Sequence, residues 1–460
     1  MRKLLFAFLL LAPLSARAST FDIYGFGSRG IAMGGAQTAD ARDFSATFYN
    51  PSLLVLQTKV GFGLGFFYEA PNVSATPDVP TASFGTEPES TAAWSAGLVF
   101  PFAGKLRNHV ALGVGISIPT KNLLRVASFD PGEPTWYLYE NSPDRIQIFA
   151  GLGIKPFDWL TLGIGIQALA DFSGHVDFNV DIFNKRFQKR DLTNELATRE
   201  APVAGLTIIP TSNFQFAFCW RASMELDYAL PTSIQLGDLG TLGLNVSGVT
   251  FYTPHELTLG VKYEPIPELT LTADLEYALW SKAPSPAVNV SVRFTGDLAQ
   301  GLGLDQALKL DSSDAPIGFE DVLIPRLGIE YRLGENVSFR GGYYFRPTML
   351  PEQNGLTNLL DGPTHVISAG LGVSFMSPLG ALAEPVKIDA VFQHGFVGGR
   401  HADKSASNPV QPYSYGGSTE VFAIDLRYAF DIVGPKDETP AQPEPAQPEA
   451  QKPERDEFQY

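Results

Sequence analysis

The stretch Glu420-Val421-Phe422-Ala423-Ile424-Asp425-Leu426-Arg427-Tyr428-Ala429-Phe430-Asp431 puts Phe422, Ile424, Leu426, Tyr428 and Phe430 on one face of a period-two strand, with Asp425 and Arg427 on the other. One face is apolar and the other charged. Glu268 to Trp280 repeats the pattern, opposing Leu269, Leu271, Ala273, Leu275, Tyr277 and Leu279 to Thr270, Thr272, Asp274 and Glu276. In Pro325 to Leu333, Leu327, Ile329, Tyr331 and Leu333 oppose Arg326, Gly328, Glu330 and Arg332. Val337, Phe339, Tyr343 and Phe345 likewise oppose Ser338, Arg340, Tyr344 and Arg346. A soluble sandwich alternates too, but its polar face meets bulk water and it has no use for aromatic strand ends. Aromatic ends favour a membrane girdle.

Segments of this kind recur from Gln57 to Val433, and about fourteen of them are separated by turns or polar loops, an even number within the range of bacterial outer-membrane barrels. The expected cores are 59–68, 92–102, 110–119, 145–156, 160–172, 202–210, 214–222, 256–264, 269–280, 323–333, 337–347, 365–375, 386–396 and 421–432. A sheet in hydrocarbon has no tolerance for unpaired backbone, so it must close on itself. Short joins (103–109, 157–158, 211–213, 265–267, 334–336) alternate with long ones (70–91, 120–144, 177–199, 231–255, 281–321, 348–364), as periplasmic and extracellular ends should. The fold class is therefore all-β, a transmembrane antiparallel barrel.

At the N-terminus, Arg2 and Lys3 precede the apolar run Leu4 to Leu14 and the small-x-small triplet Ala16-Arg17-Ala18, which reads as a signal peptide over residues 1–18. The run is about eleven residues, short of the roughly twenty that span a bilayer as a helix. The formal charge of −16 becomes −19 once Arg2, Lys3 and Arg17 leave, which argues against nucleic acid as a partner. The single cysteine, Cys219, excludes an intramolecular disulfide. The six histidines show no close ligand spacing, so neither a metal nor a cofactor is expected. No GxSxG elbow occurs, and although outer-membrane hydrolases with dispersed catalytic groups exist, the chain reads as a non-enzyme.

Inside the barrel the expected faces differ. The third to fifth segments turn Gly113, Gly115, Gly151, Gly153, Gly163 and Gly165 inward, leaving volume beside a wall without side chains, or else allowing backbone kinks. Later segments turn Lys262, Asp274, Glu276, Arg326, Glu330, Arg332, Arg340, Lys387 and Asp389 inward, where an interior salt-bridge ladder is the plainest reading.

Residues 19–56 lack alternation and are rich in Gly, Ala and Asp. They contain Tyr24-Gly25-Phe26-Gly27-Ser28-Arg29-Gly30-Ile31-Ala32-Met33-Gly34-Gly35-Ala36, Ala39-Asp40-Ala41-Arg42-Asp43 and Phe48-Tyr49-Asn50-Pro51-Ser52-Leu53-Leu54. Gly25-Phe26-Gly27-Ser28-Arg29-Gly30 matches the dinucleotide fingerprint by letter, but no strand precedes it and no βαβ unit follows. The run resembles instead the N-terminal hatch of the FadL/TodX outer-membrane long-chain fatty acid and hydrocarbon transporter family, with Ser52 where that family usually has Ala. The resemblance continues at Tyr252-Thr253-Pro254-His255-Glu256-Leu257, at Leu271 to Tyr277 with Trp280, and at Pro325 to Tyr331 with Arg340-Gly341-Gly342-Tyr343.

That resemblance implies a hatch over 19–56 inside a barrel over 57–433, capture of apolar solutes at the extracellular end, hatch movement, and lateral release into the membrane. Phe21, Phe26, Arg29, Asn50 and Pro51 become candidate gating residues. A fatty-acid carboxylate requires an inward cation, for which Arg145, Lys262, Arg326 and Arg340 are candidates. Tyr428 and Phe430 fit the aromatic end that closes such a barrel. The expected partners are hydrophobic small molecules, outer-membrane lipid and lipopolysaccharide, and the barrel-assembly machinery, with a monomer expected in the outer membrane. The chain departs from the pattern at 434–460, where Pro435, Pro440, Pro443, Pro445, Pro448 and Pro453 among Glu, Gln and Ala read as a disordered periplasmic tail. A diffusion porin and a surface-binding or purely structural barrel are the competing functions; the first needs an open polar lumen, the second would use the long loops.

Overall fold

The computed structural model describes residues 21–79, 84, 88–121, 133–140, 145–181, 186–235, 240–286, 289–301, 303, 310–311, 317–355, 357–376, 382, 384–404 and 410–431. The expected signal peptide and Pro-rich tail lie outside them.

Fourteen antiparallel strands close the wall. They are β1 (Val60–Pro77), β2 (Thr91–Pro101), β3 (Val110–Pro119), β4 (Gln147–Phe157), β5 (Leu160–Asp181), β6 (Arg186–Thr211) and β7 (Phe214–Arg221). The second half comprises β8 (Glu256–Ile266), β9 (Leu269–Ala278), β10 (Val322–Leu333), β11 (Val337–Arg346), β12 (Thr364–Phe375), β13 (Val386–Ala402) and β14 (Tyr413–Phe430). Each strand pairs with the next, and β14 returns to β1 from Val60 opposite Phe430 to Pro77 opposite Tyr413. Closure leaves the wall without an edge, which hydrocarbon demands.

The burial pattern is inside-out. On β14, Phe422 and Leu426 are 45% and 42% exposed while Asp425 is 5% exposed; on β10, Leu327 is 54% exposed and Glu330 2%. A water-soluble protein does the reverse, so the outer surface must face lipid. Among the described residues no helix is long and apolar enough to cross a membrane; this chain crosses with strands.

Short turns gather where β1 begins and β14 ends, and long connections at the opposite rim. Two of the expected loops are strand instead. The stretch 177–199 continues β5 and β6 to Asp181 and from Arg186, and 231–255 lies largely in a hairpin of Met224–Gln235 with Thr241–Thr253. That hairpin pairs Thr232–Gln235 in parallel with Val176–Asn179 of β5. These extensions lie at the long-connection rim, past the part of the wall that alternates, and the apolar-polar period is missing from their sequence because a strand outside hydrocarbon needs no greasy face.

Candidate functional site

The N-terminal segment packs against the inward faces of the wall. Its elements are short: α1 (Phe21–Tyr24), α2 (Ser28–Ala32), α3 (Ala46–Tyr49) and a 3-10 turn (Pro51–Leu56). Helices this brief are unstable alone, so the wall must hold them. Gly25 and Gly27, at φ +95° and +73°, make the sharp bend between α1 and α2 that a side chain would resist. Gly30 lies so close to Tyr49 that an added methyl would sit 2.5 Å from its hydroxyl oxygen, and the Tyr49 Oη accepts a hydrogen bond from the Phe26 N–H at 2.8 Å. The fingerprint-like glycines thus serve packing and turn geometry.

The apolar side of the segment is aromatic. The ring centroid of Phe26 lies 4.6 Å from that of Phe21, 5.5 Å from that of Phe44 and 5.0 Å from that of Phe149 on β4. Such pairs contribute beyond their buried area.

Against β3 to β6 the segment sits on bare backbone. An added methyl at Gly113 would lie 2.5 Å from Leu54 Cδ2, at Gly163 2.1 Å from the Ser52 nitrogen, and at Gly205 2.0 Å from Asn50 Oδ1. The glycine-lined wall expected to border open volume is therefore filled by residues 44–55, and its glycines are a seat, except Gly165, where an added methyl would meet the wall's own backbone at Ala150. Asn50 fixes that seat: its Oδ1 accepts from the Ser52 N–H at 3.0 Å and from Ser52 Oγ at 2.7 Å, while its Nδ2 donates to the Thr38 carbonyl at 2.8 Å and to Thr207 Oγ1 at 3.2 Å. Pro51 follows at the first position of the 3-10 turn, where a missing N–H costs nothing. Asn50→Ala is expected to cost about 1–3 kcal/mol for each buried partner it orphans. Amide exchange at Ser52 should accelerate at least about tenfold, read by hydrogen-exchange mass spectrometry.

Against β7 to β14 the segment is held by charge. Arg29, 4% exposed, donates to Glu330 on β10 at 3.0 Å, to Gln37 Oε1 at 2.7 Å, and to Asp40. Burial alone would raise the Asp40 carboxyl, but Arg29, Arg42 and Lys262 beside it hold it below its ordinary range, so it stays anionic. Wall carboxylates take backbone N–H groups directly: Asp425 accepts from Ser28 and Asp274 from Thr38 at 2.9 Å. Arg427 donates to Asp43 at 2.7 Å, and Arg221 donates to the Phe48 carbonyl at 3.2 Å with its guanidinium over that ring.

Three of the four candidate carboxylate contacts belong to this clamp or the ladder behind it. Lys262 faces Asp40 at 3.4 Å and Glu264 at 3.2 Å; Arg326 pairs with Glu276 at 2.9 Å and lies over Tyr344; Arg340 meets Glu330 at 2.6 Å and Asp389. A ligand anion reaching any of them has to displace a protein carboxylate. Arg145, buried on the opposite wall, donates to the Ala170 carbonyl at 3.1 Å. At the short-turn rim, Phe430 ends β14 opposite Val60 and its ring faces outward, stacked on Tyr428 at 5.9 Å.

A second apolar assembly was not foreseen. In the long connection before β4, Trp136, Tyr137, Leu138 and Tyr139 are buried together with Trp280, Phe319, Met349, Leu350 and Tyr413 from other long connections and strand ends. This cluster is continuous with Ile23, Tyr24 and Ile31 of the N-terminal segment. Thr135–Trp136 pairs in parallel with Leu359–Leu360, and Arg346 pins the arrangement through Tyr139 Oη at 3.0 Å and Asp361 at 3.2 Å. Its only sequence signal was the aromatic run at 136–139, inside a segment otherwise read as loop.

A closed inside-out barrel with an N-terminal segment packed against the inner face of its wall is the architecture of an outer-membrane β-barrel protein. The chain has the fold of the FadL/TodX family, and the resemblance read from its sequence is borne out at that level. A FadL homologue of Pseudomonas aeruginosa superposes with a TM-score of 0.57 over 91% of this chain and 99% of its own, at 14% identity. The P. putida toluene transporter TodX superposes with a TM-score of 0.56 over 89% of this chain and all of its own, at 15% identity. In sequence, the chain is 22% identical over 372 residues to alkane uptake protein A of Marinobacter nauticus, covering 76% of this chain and 77% of that protein. No family model matches.

Proposed function

We propose that the protein carries small hydrophobic molecules across the outer membrane, through a path closed by the N-terminal segment acting as a hatch. The observation that carries this reading is the continuous apolar cluster from the long-loop rim, through Trp136 to Tyr139, down to Ile23, Tyr24 and Ile31 of the hatch. Apart from the tyrosine hydroxyls and the Arg346–Asp361 pair, its side chains are apolar, so an alkyl chain or aromatic ring finds more contact along it than a polar solute does. The similar proteins named for alkane uptake and toluene transport support the same substrate class.

Energetics require the closure to move. Burying a dozen methylenes at about 0.8 kcal/mol each yields roughly 10 kcal/mol of gross attraction, which makes a static pocket a trap. Hatch displacement at Asn50-Pro51 weakens that hold, with Phe21, Phe26 and Arg29 moving from their wall contacts.

For lateral release we propose the wall formed by β4 to β7. β3 runs in unbroken register between β2 and β4, so the wall is shut there. On the lipid side of β4 to β7 lies a depression of about 400 Å³ lined by Leu152, Ile154, Leu162, Ile164, Leu206 and Phe218, with Gly163 and Gly205 in its floor. Behind those glycines stand only Asn50, Pro51 and Ser52 among the nearest side-chain and backbone contacts of the hatch. Withdrawing the hatch thins the wall at this point.

The test is uptake into proteoliposomes. Labelled hexadecane should accumulate several-fold faster than in protein-free vesicles while labelled sucrose should not. Equal entry of both solutes would instead mean a diffusion pore, and no gain for either would mean a structural barrel.

A further inference from the structure

Two cavities adjoin at the short-turn rim: one of about 350 Å³ at the seam where β1 meets β14, and one of about 170 Å³ beside Glu335 and Asn336 of the turn between β10 and β11. Arg42, Lys387 and Arg427 border both, and Lys59 borders the larger. The mouth of the barrel on this side is therefore ringed by cations.

These cations are not equivalent. Lys59 is matched by Glu384 at 2.6 Å and Asp431 at 3.6 Å, Arg427 by Asp43 at 2.7 Å and by Asp389, and Arg42 by Asp40 at 2.8 Å and Glu264 at 3.1 Å. Lys387, exposed near the start of β13, forms no salt bridge among the described residues, and Asp389, two positions along, is taken by Arg340 and Arg427. Its register partner on β14 is Arg427. Like charges directly opposite each other across a strand pair repel, so the mouth has a place for an anion that the wall does not supply.

The chain itself supplies one. β14 ends at Phe430, three residues past Arg427, so the chain leaves the wall about 10 Å from the Lys387 position. The sequence continues Ile432-Val433-Gly434-Pro435-Lys436-Asp437-Glu438, with a turn-forming Gly-Pro and then two carboxylates against one lysine. Seven residues separate Phe430 from Asp437 and extend to about 23 Å, over twice the distance back. A tether this short gives an effective concentration of order millimolar, so a weak contact is populated. We propose that the chain turns back at Gly434-Pro435 and docks Asp437-Glu438 on Lys387, an intramolecular cover over the mouth of the barrel and the Arg42 end of the clamp. The inference goes beyond the transport reading and does not depend on it: the contact forms whether or not the barrel carries a solute.

Spin labelling of the purified, full-length protein tests it, with folding verified by heat-modifiable mobility in electrophoresis. In a Cys219→Ser background, a nitroxide on Thr439→Cys should give an immobilised spectrum at low salt. Lys387→Gln should raise the mobile fraction at least threefold, and Lys387→Glu further. About 1 M NaCl, where the screening length falls to about 3 Å, should release the label in the parent as well. Combining Lys387→Glu with Asp437→Lys and Glu438→Lys should restore the immobilised spectrum, which a merely structural effect of Lys387 would not do. A mobile spectrum in the parent, or an immobilised one unchanged by both Lys387 substitutions, overturns the proposal. A label immobilised in native outer membranes but mobile after purification overturns the intramolecular contact in favour of a separate protein partner.

Discussion

Gly163→Val is expected to unseat the hatch and turn a silent barrel into a conducting one. A β-carbon at Gly163 would lie 2.1 Å from the Ser52 nitrogen and 2.3 Å from the Pro51 carbonyl carbon, both backbone atoms that have no rotamer in which to escape. Overpacking a well-filled site typically costs about 1–3 kcal/mol, and a backbone-on-backbone clash belongs at or above the top of that range. Gly205→Val acts on the same seat through Asn50, whose Oδ1 would be 2.0 Å from the new carbon. Because β5 and β6 keep their ladder, the strained partner is the hatch, which is held by side chains and short turns. Planar-bilayer recordings should show step conductances in Gly163→Val that are absent from the parent, while Gly301→Ala, in open space, should behave as the parent. Closed Gly163→Val channels with unchanged hatch protection would refute the seat.

Arg29→Met should be nearly as damaging, for an electrostatic reason. The substitution keeps the volume but leaves Asp40 and Glu330, both within a few per cent of full burial, without their shared cation. Breaking a buried pair by removing one partner typically costs about 3–5 kcal/mol. Arg42 and Arg340 also touch Glu330, at 3.4 and 2.6 Å, and soften the loss on that side; Asp40 retains Arg42 and Lys262. The net expectation is about 3 kcal/mol, or roughly a hundredfold increase in the open population of the hatch. Trypsin cleavage after Arg42, the site within residues 21–56 that both proteins keep, under conditions where cleavage is slow relative to closing, reads that population. An Arg29→Met protein as protease-resistant as the parent would show that the clamp is ornamental.

How much of this was legible in the sequence depended on where the physics writes a period. The wall strands were readable because lipid on one side and a charged lumen on the other force apolar and polar residues to alternate, as Leu327, Ile329 and Tyr331 do against Arg326 and Glu330. The extensions of β5 and β6 were not, since outside the bilayer that force disappears and polar strand reads as polar loop. The lumen charges were visible as a class, and the salt-bridge ladder was the right description of Arg340 with Asp389 and Glu330. Their partners across the lumen were invisible: no spacing announces that Asp425 takes the Ser28 N–H across 397 positions of chain. The inward glycines of β3 to β6 were found, but sequence alone could not say whether an absent side chain makes room for a ligand or for Ser52 and Leu54. The Trp136 to Tyr139 cluster was missed because an aromatic run in a long connection has no periodicity to test.

The account stands or falls on whether the hatch must move for an apolar solute to pass. A methyl added at Gly113 would lie 2.7 Å from Thr47 Cγ2, so cysteines at these two positions are close enough for a disulfide between α3 and β3, with Leu54 Cδ2 as the flexible neighbour that yields. In a Cys219→Ser background, hexadecane uptake by the Thr47→Cys, Gly113→Cys protein should fall at least tenfold when oxidised and return on reduction. Full uptake with the cross-link in place would contradict hatch gating.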